Sequence, residues 1–444
     1  MLGFRSSERH LALAYATAGV SKIATALIQI LALPIIARAL DVERLGAMLS
    51  IAAFASILTI FGQGLSATAS YTVSFARSQD DPRKISEAFW SVWCLGLAAA
   101  VIITLAGSIA LLLGIEQFFA DSSDALNRGE IRMALVAMLF HVVLYYGFWT
   151  IEGVRAAYQE NYVTNSFGLL ASICAFAGCI VASYISPSIS SFYFALFVLP
   201  PAAQAINMIL FLRKRRSIIL PLNLRKAGIR EAGVRLLSYS KAQSGLTLHL
   251  QGAVLFSSHF FGLSAGAVMG GMARLIIQMH GFVMTVFNPI LPTITKAYAS
   301  NNLADLKKRL TITLMLAFII VASFTIPIGI FGDTILKIWL SLDNVSVEYN
   351  LPFALFAFGY SMSHLLYVIL LSLNSVRIAS WRLLVSGLSG VTAFYVFSEF
   401  FGFSGLLWVN ITAMLLICLV PSMISLFLLT RQISSRLRIS QSHL

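Results

Sequence analysis

Residues 88–114 read AFWSVWCLGLAAAVIITLAGSIALLLG, a run without one charged side chain. A helix needs about 20 mainly apolar residues to cross the hydrocarbon core of a bilayer. No period-two alternation runs through the segment, so it reads as a spanning helix and not as a barrel strand. Eleven further stretches have the same character: 12–36, 45–75, 132–156, 162–185, 190–212, 236–260, 265–294, 310–332, 351–373, 381–400 and 405–430. Spans two and eight exceed what a bilayer requires, so they are expected to tilt, bend or protrude. The first span is too long for the apolar region of a signal peptide and lacks a small-residue cleavage site behind it. It is read as a retained helix.

The whole chain agrees with that local reading. Of 444 residues, 58% are hydrophobic and 11% are charged, less than half the charged share of a typical soluble domain. Mean hydropathy is +0.85. This excludes a soluble enzyme, a disordered chain and a nucleic-acid-binding domain. The expected fold class is all-α, a polytopic membrane protein of about twelve transmembrane helices. The four cysteines, Cys94, Cys174, Cys179 and Cys418, lie in apolar stretches and read as inert buried thiols.

The net charge of +13 has a membrane explanation. Lys and Arg in short loops set orientation. With the N-terminus in the cytoplasm and span-edge residues counted with the nearer side, inner segments hold 23 Lys/Arg and 7 Asp/Glu, and outer segments hold 5 and 10. Both termini are therefore expected inside. Arg213, Lys214, Arg215, Arg216, Arg225, Lys226 and Arg230 fall between spans six and seven, where they would meet anionic headgroups. That segment divides the chain into an N-terminal six-helix lobe, 1–212, a basic cytoplasmic linker, 213–235, and a C-terminal six-helix lobe with a short basic tail, 236–444.

The two halves echo each other. Ser21-Lys22 precedes Gly46 by about the separation at which Ser240-Lys241 precedes Gly266. The turns that follow carry Asp80, Asp81, Arg83 and Lys84 in one half, and Asp305, Lys307, Lys308 and Arg309 in the other. Two six-helix halves of the same orientation predict parallel repeats about an axis along the membrane normal, with a site between them.

No Gly-rich loop followed by Lys-Ser or Lys-Thr is present, so ATP hydrolysis is not expected. No HExxH or Cys/His cluster calls for a metal, and no cofactor motif is found. Asp80-Asp81 reads as a solvated turn. Ionisable groups inside spans are costly and mark function. Lys22 lies roughly 15 Å into span one at 1.5 Å per residue, and Arg274 lies at a similar depth in span eight. Lys241 is nearer the inner edge of span seven. Glu152 stands against these three bases, and an intrahelical pair with Arg155 is its simplest reading.

Polar residues form stripes. Arg274, Gln278, Gly281, Thr285 and Asn288 share one face of span eight, and Ser56, Thr59, Gln63, Ser66 and Ser70 share one of span two. Span one shows Lys22, Thr25 and Gln29. Span seven shows Lys241, Ser244, Gly245, His249 and Gly252. Helix-to-helix hydrogen bonding accounts for the small polar residues. The surplus of bases calls for an anion, and a phosphate or pyrophosphate suits it, with Arg as a fork and Lys as a point charge. Lys22, Lys241, Arg274, Gln29, Gln63, Gln278 and His249 are thus the candidate substrate-binding residues in a cationic chamber lined by spans one, two, seven and eight. Glu152 and His280 are the candidates for a coupling ion.

Several stretches carry a resemblance. Pro34-Ile-Ile-Ala-Arg38-Ala-Leu-Asp41 with Gly46, Gly62-Gln-Gly-Leu65 with Arg77, Pro289-Ile-Leu-Pro292 through Asp305-Leu-Lys307-Lys308, Ile338-Trp339-Leu340 and Gly402-Phe-Ser-Gly405 are similar to the polysaccharide-transporter flippases of the multidrug/oligosaccharidyl-lipid/polysaccharide exporter (MOP) superfamily, notably O-antigen-unit flippases. The resemblance implies two six-helix bundles. It also implies translocation of an undecaprenyl-pyrophosphate-linked oligosaccharide, an O-antigen or exopolysaccharide unit, across a bacterial inner membrane by alternating access. Membrane lipids, a glycan polymerase and chain-length machinery are the implied partners. Lys22, Lys241 and Arg274 match the implied lining by position. The alternatives are a cation-coupled drug or small-molecule exporter of the same superfamily, a membrane glycan polymerase or ligase, and a passive assembly subunit. A drug exporter usually favours acidic cavity residues, and a polymerase should carry a sizeable outer loop. Segment 115–131 is short and has no histidine.

Overall fold

The computed structural model describes residues 2–120, 127–215, 224–287, 290–300, 302–343, 345–373 and 375–442, and the side chains of these apart from 2–18, 22, 120, 376 and 432–442. Every regular element among them is a helix. Among the described residues nine helices are long and apolar enough to cross a membrane, and a bent pair, Val42–Leu58 and Ile60–Ser78, supplies a tenth. The predicted seventh span lies within the helical stretch 226–261, and the predicted eleventh, 381–400, is helical as far as the end of Val376–Phe397. The seventh is the most polar span, carrying Lys241, Gln243, Ser244, His249 and Gln251.

The two long spans resolve as physical chemistry requires. Span two bends by 42° at Thr59, whose hydroxyl donates back to the Ala55 carbonyl at 2.9 Å, a bond that competes with the helix ladder. Span eight is the helix Leu263–Phe287, followed by the short helix Leu291–Ala299 with Pro292 in its first turn. Asn288 and Pro289 lie outside the described residues. Pro34 sits within the continuous helix Leu2–Ala39. Pro327 sits in Leu303–Leu340, and the backbone leaves helical geometry at Phe331, one turn further on.

Polar residues of the turns serve as caps. The side chains of Asp41, Asp81 and Asn302 accept from the backbone N–H groups of Arg44, Arg83 and Asp305 at 2.8, 2.9 and 3.0 Å. Asp81 is followed by Pro82 at the first helical position. The outward face of Pro82–Leu112 shows Val101, Ile102, Leu105, Ile109 and Leu112, all more than half exposed. Such a stripe is what lipid would cover.

Packing divides the chain into two compact units. One comprises 1–240 with 254–271, the other 241–253 with 272–444. The first has a core of Leu65, Val73, Phe89, Val142, Tyr146 and Phe211. Within it, the helices that begin at Val42 and Leu263 meet through small residues four apart. A methyl group at Gly46 would lie 1.9 Å from the Leu263 carbonyl oxygen. One at Gly266 would lie 1.7 Å from the Ser258 hydroxyl, and one at Gly270 would meet Leu49 at 2.8 Å. Ser50 hydrogen-bonds to Ser258 of the preceding helix, Ala253–Phe261. Small-xxx-small surfaces of this kind let helix backbones approach closely in lipid.

Candidate functional site

The polar stripes are partly spent on holding helices together. On span one, the Ser21 hydroxyl donates to the Asn165 carbonyl at 2.8 Å, and Thr25 accepts from Ser172 at 3.1 Å. That face packs on the helix Asn161–Ile185. Gln29 is half-buried on the same helix. Lys22 lies in that helix too, but its side chain is outside the described residues. On span two, Gln63 is exposed, while the Ser56 hydroxyl donates within its own helix at 2.8 Å. The Ser66 backbone lies against Gly153.

Arg155 is satisfied from outside its own helix, so the intrahelical pair with Glu152 is not what holds it. Its Nη1 reaches Glu160 Oε2 at 2.5 Å, and its Nε and Nη2 donate to Asn207 Oδ1 at 3.1 and 2.9 Å. Arg215 pairs with the other oxygen of Glu160. The two guanidinium groups lie on the Phe211 ring at 4.8 and 4.5 Å. Arg77 donates to the Ala157 carbonyl and covers Tyr158 at 4.1 Å. This clamp joins three helices at the predicted cytoplasmic side. Glu152 itself is half-buried in the first turn of Ile151–Ala157.

Burial pushes the Glu160 carboxyl up, but hydrogen bonds from Arg215 and Arg155 outweigh it and hold the group below the usual carboxylate range. A depressed folded-state value stabilises above the unfolded value, about 4.3 for Glu, and the contribution fades as pH falls through the folded value. The stability difference between the parent and Glu160→Gln should therefore be constant from pH 7 to about 5 and shrink below about 4. Thermal melts across that range in one detergent measure it.

In the second unit, three of the candidate residues have assigned partners. Lys241 is half-buried, with its ammonium 4.6 Å from the centre of the Trp381 ring. A cation–π contact of this kind holds the group in place without neutralising its charge. His249 is fully buried in a π-turn, Leu248–Gly252. Its Nδ1 faces Asn410 Oδ1 at 2.6 Å, its Nε2 faces Ser386 Oγ at 2.8 Å, and Asn410 Nδ2 donates to the His249 carbonyl at 3.1 Å. Asn410 is thereby oriented, which puts the proton of the imidazole on Nδ1. Both ring nitrogens are engaged inside the unit, so His249 locks three helices. His280 Nε2 lies 2.6 Å from His364 Nδ1, with Tyr360 edge-on at 5.2 Å. Arg274 and Gln278 are half-buried on Leu263–Phe287, and Thr285 donates to the Gly281 carbonyl at 2.8 Å.

Asn207, Glu160, Trp381 and Asn410 were not singled out by sequence reasoning. Asn410 had a readable signal, an amide within the apolar run Leu406-Leu-Trp-Val-Asn410-Ile. Glu160 stood in a short turn and looked like any solvated acid.

The helices and their order define a multi-pass membrane protein with the fold of a MOP-superfamily transporter. The inward-facing structure of a multidrug resistance MATE family transporter aligns with 93% of this chain and 95% of its own at 14% identity, with a TM-score of 0.73. An outward-facing MATE structure aligns over 95% and 96% at 15% identity and a TM-score of 0.61. A MOP superfamily transporter from Pyrococcus furiosus, described by the reverse polarity of its binding pocket, aligns over 95% and 96% at 14% identity and a TM-score of 0.64. No curated protein matches the chain in sequence. Residues 15–153 match the family model of polysaccharide biosynthesis proteins. The chain thus has the fold of these transporters, and residues 15–153 are similar to polysaccharide biosynthesis proteins.

Proposed function

We propose that the chain is a flippase that carries a polyprenyl-pyrophosphate-linked oligosaccharide, an O-antigen or exopolysaccharide unit, from the cytoplasmic to the outer leaflet of a bacterial inner membrane. The observation that carries this reading is the polysaccharide-biosynthesis match over residues 15–153 on a chain with a transporter fold. The chemistry supports it. Lys22, Lys241 and Arg274 bring three bases into the spans against Glu152. A pyrophosphate suits spans in which bases outnumber acids, since it is the substrate group that carries negative charge. A MOP transporter with a pocket of reversed polarity is known from Pyrococcus furiosus, so the fold tolerates an inverted lining.

In this reading the basic residues Lys22, Lys241 and Arg274 serve the pyrophosphate and Gln29, Gln63 and Gln278 the sugar, with Lys241 held against the Trp381 ring. The polyprenyl tail stays in lipid. Two lobes of six helices alternate in access, and the substrate shifts them only by binding one state better. His280, hydrogen-bonded to His364, and Glu152 are the groups to carry a coupling proton. A glycan polymerase and chain-length machinery would receive the product.

Ligand-induced thermal stabilisation tests this assignment. A short polyprenyl-pyrophosphate glycan should stabilise the detergent-solubilised protein. Arg274→Ala and Lys22→Ala should each weaken its apparent affinity about tenfold or more, the loss of one charge-assisted hydrogen bond. The multidrug transporters among the structural neighbours make a cationic-substrate exporter the second reading. Stabilisation by a cationic dye and not by the glycan would select it.

A further inference from the structure

A cavity of about 290 Å³ opens in the first unit, where the helices Ile60–Ser78 and Pro82–Leu112 run into the turn 79–81. Its third wall is the start of the helix Lys226–Thr247. The two aromatic rings on one wall, Tyr71 and Phe75, are parallel to within 3° and substantially exposed. Facing groups include Glu87, Ser91, Glu231 and Lys84.

Two polar groups here converge. Ser91 is 2% exposed, and its hydroxyl has no hydrogen-bond partner among the described residues. Such a group costs free energy unless something else satisfies it. Glu87 stands one helical turn before it, with its side chain 18% exposed and its ion-pair contact a long 3.8 Å to the exposed Arg225. The two oxygens meet over Gly228. A methyl group at that position would lie 2.9 Å from Glu87 Oε1 and 3.0 Å from Ser91 Oγ. Glycine therefore keeps open the point at which an acceptor and a donor are both presented.

The charges select the class of ligand. Glu87 faces Arg225, Glu231 is held by Arg235 at 2.9 Å, and Lys84 donates to Gln79 at 2.6 Å. The lining is close to neutral overall. It suits neither a pyrophosphate, which the carboxylates would repel, nor a cation, since both carboxylates already face arginines. A neutral polyol fits. Two adjacent hydroxyls can donate to Glu87 and accept from Ser91, while the C–H face of a pyranose rests on Phe75, the more exposed ring, the Arg235 guanidinium lying over the Tyr71 ring beside it at 4.1 Å. The volume is at the lower end of small-molecule sites, about 300–1,000 Å³, which matches one sugar unit and not a whole oligosaccharide.

We propose that this cavity is a sugar-binding subsite, separate from the basic residues assigned to pyrophosphate, which holds one pyranose unit of the substrate glycan at the predicted cytoplasmic side. The ligand class rests on the flippase reading; the site rests on the geometry.

The test uses the full chain in nanodiscs and a panel of methyl glycosides of glucose, mannose, galactose, rhamnose and N-acetylglucosamine, followed by saturation-transfer NMR titration. At least one glycoside should bind saturably and should not be displaced by inorganic pyrophosphate. Glu87→Gln and Ser91→Ala should each weaken it about tenfold, and Gly228→Ala should abolish it. Ser91→Ala should not lower the thermal midpoint, since it removes a buried hydroxyl that makes no hydrogen bond among the described residues. Absence of saturable binding by any member of the panel, binding unaltered in the three variants, or displacement by a cationic dye would overturn the assignment. Lipid-linked glycan translocation measured on the same samples separates the two claims. Translocation with unaltered glycoside binding in the variants removes the subsite and leaves the flippase. Variant-sensitive glycoside binding without translocation does the reverse.

Discussion

Glu160→Ala should lower the stability of the purified protein by about 3–5 kcal/mol, the cost of removing one partner from a buried ion pair. The reason is what remains behind. Arg155 and Arg215 have side chains 8% and 20% exposed, and both direct a guanidinium at this one carboxylate. Without it, two like charges face each other beside Phe211, and Asn207 satisfies only part of one of them. Glu160→Gln should cost less, because its amide oxygen still accepts from one arginine. Glu231→Ala is the control. Its pair with Arg235 is an exposed pair one helical turn apart, worth about 0.3–0.5 kcal/mol. Thermal melts of the three variants in one detergent measure the contrast. Equal midpoints for Glu160→Ala and Glu231→Ala would show that the clamp does not hold the helices.

Gly153→Val should be nearly as severe. A side chain at this position would begin 1.8 Å from the Ser66 carbonyl oxygen and 2.9 Å from the Ser70 nitrogen. Both are backbone atoms of a neighbouring helix, so no rotamer change can relieve the overlap. The helices Ile60–Ser78 and Ile151–Ala157 would have to separate, which would open the core around Val73 and Val154. Overpacking of a core typically costs about 1–3 kcal/mol, and a backbone clash belongs at the upper end. The expected result is a drop in the melting temperature of about 3 °C. Gly168→Val, where a methyl group has no atom closer than 4.0 Å, should change little by comparison.

The spans were legible in the sequence because lipid leaves few options. A segment such as 88–114 can satisfy its backbone only as a helix, and its lack of charge declares the solvent it faces. The bend in span two and the break in span eight followed from lengths that no bilayer accommodates straight. The capping acids Asp41 and Asp81 were visible as turn residues, though their capping role needed coordinates. Partnerships were not legible. A helical stripe tells which residues share a face but not which helix lies against it. Thr25 was read toward a chamber and is found on Ser172. His249 was read toward substrate and is found enclosed by Ser386 and Asn410, more than 130 residues away along the chain. Arg155 reached past Glu152 to Glu160 for the same reason: a flexible guanidinium selects its acid by distance in space. Lys22 and Arg274 stood out by cost alone, since no sequence pattern names the group that would offset their charge.

The most direct test of the account is a leaflet assay. The purified chain is reconstituted into liposomes with a short polyprenyl-pyrophosphate glycan, and accessibility of the sugar to an external lectin is followed over time. The account predicts that the inner-leaflet pool becomes accessible with the parent chain, and at least about tenfold more slowly with Arg274→Ala. A panel of such glycans that stays inaccessible in the same vesicles, while a cationic dye is exported, would contradict it.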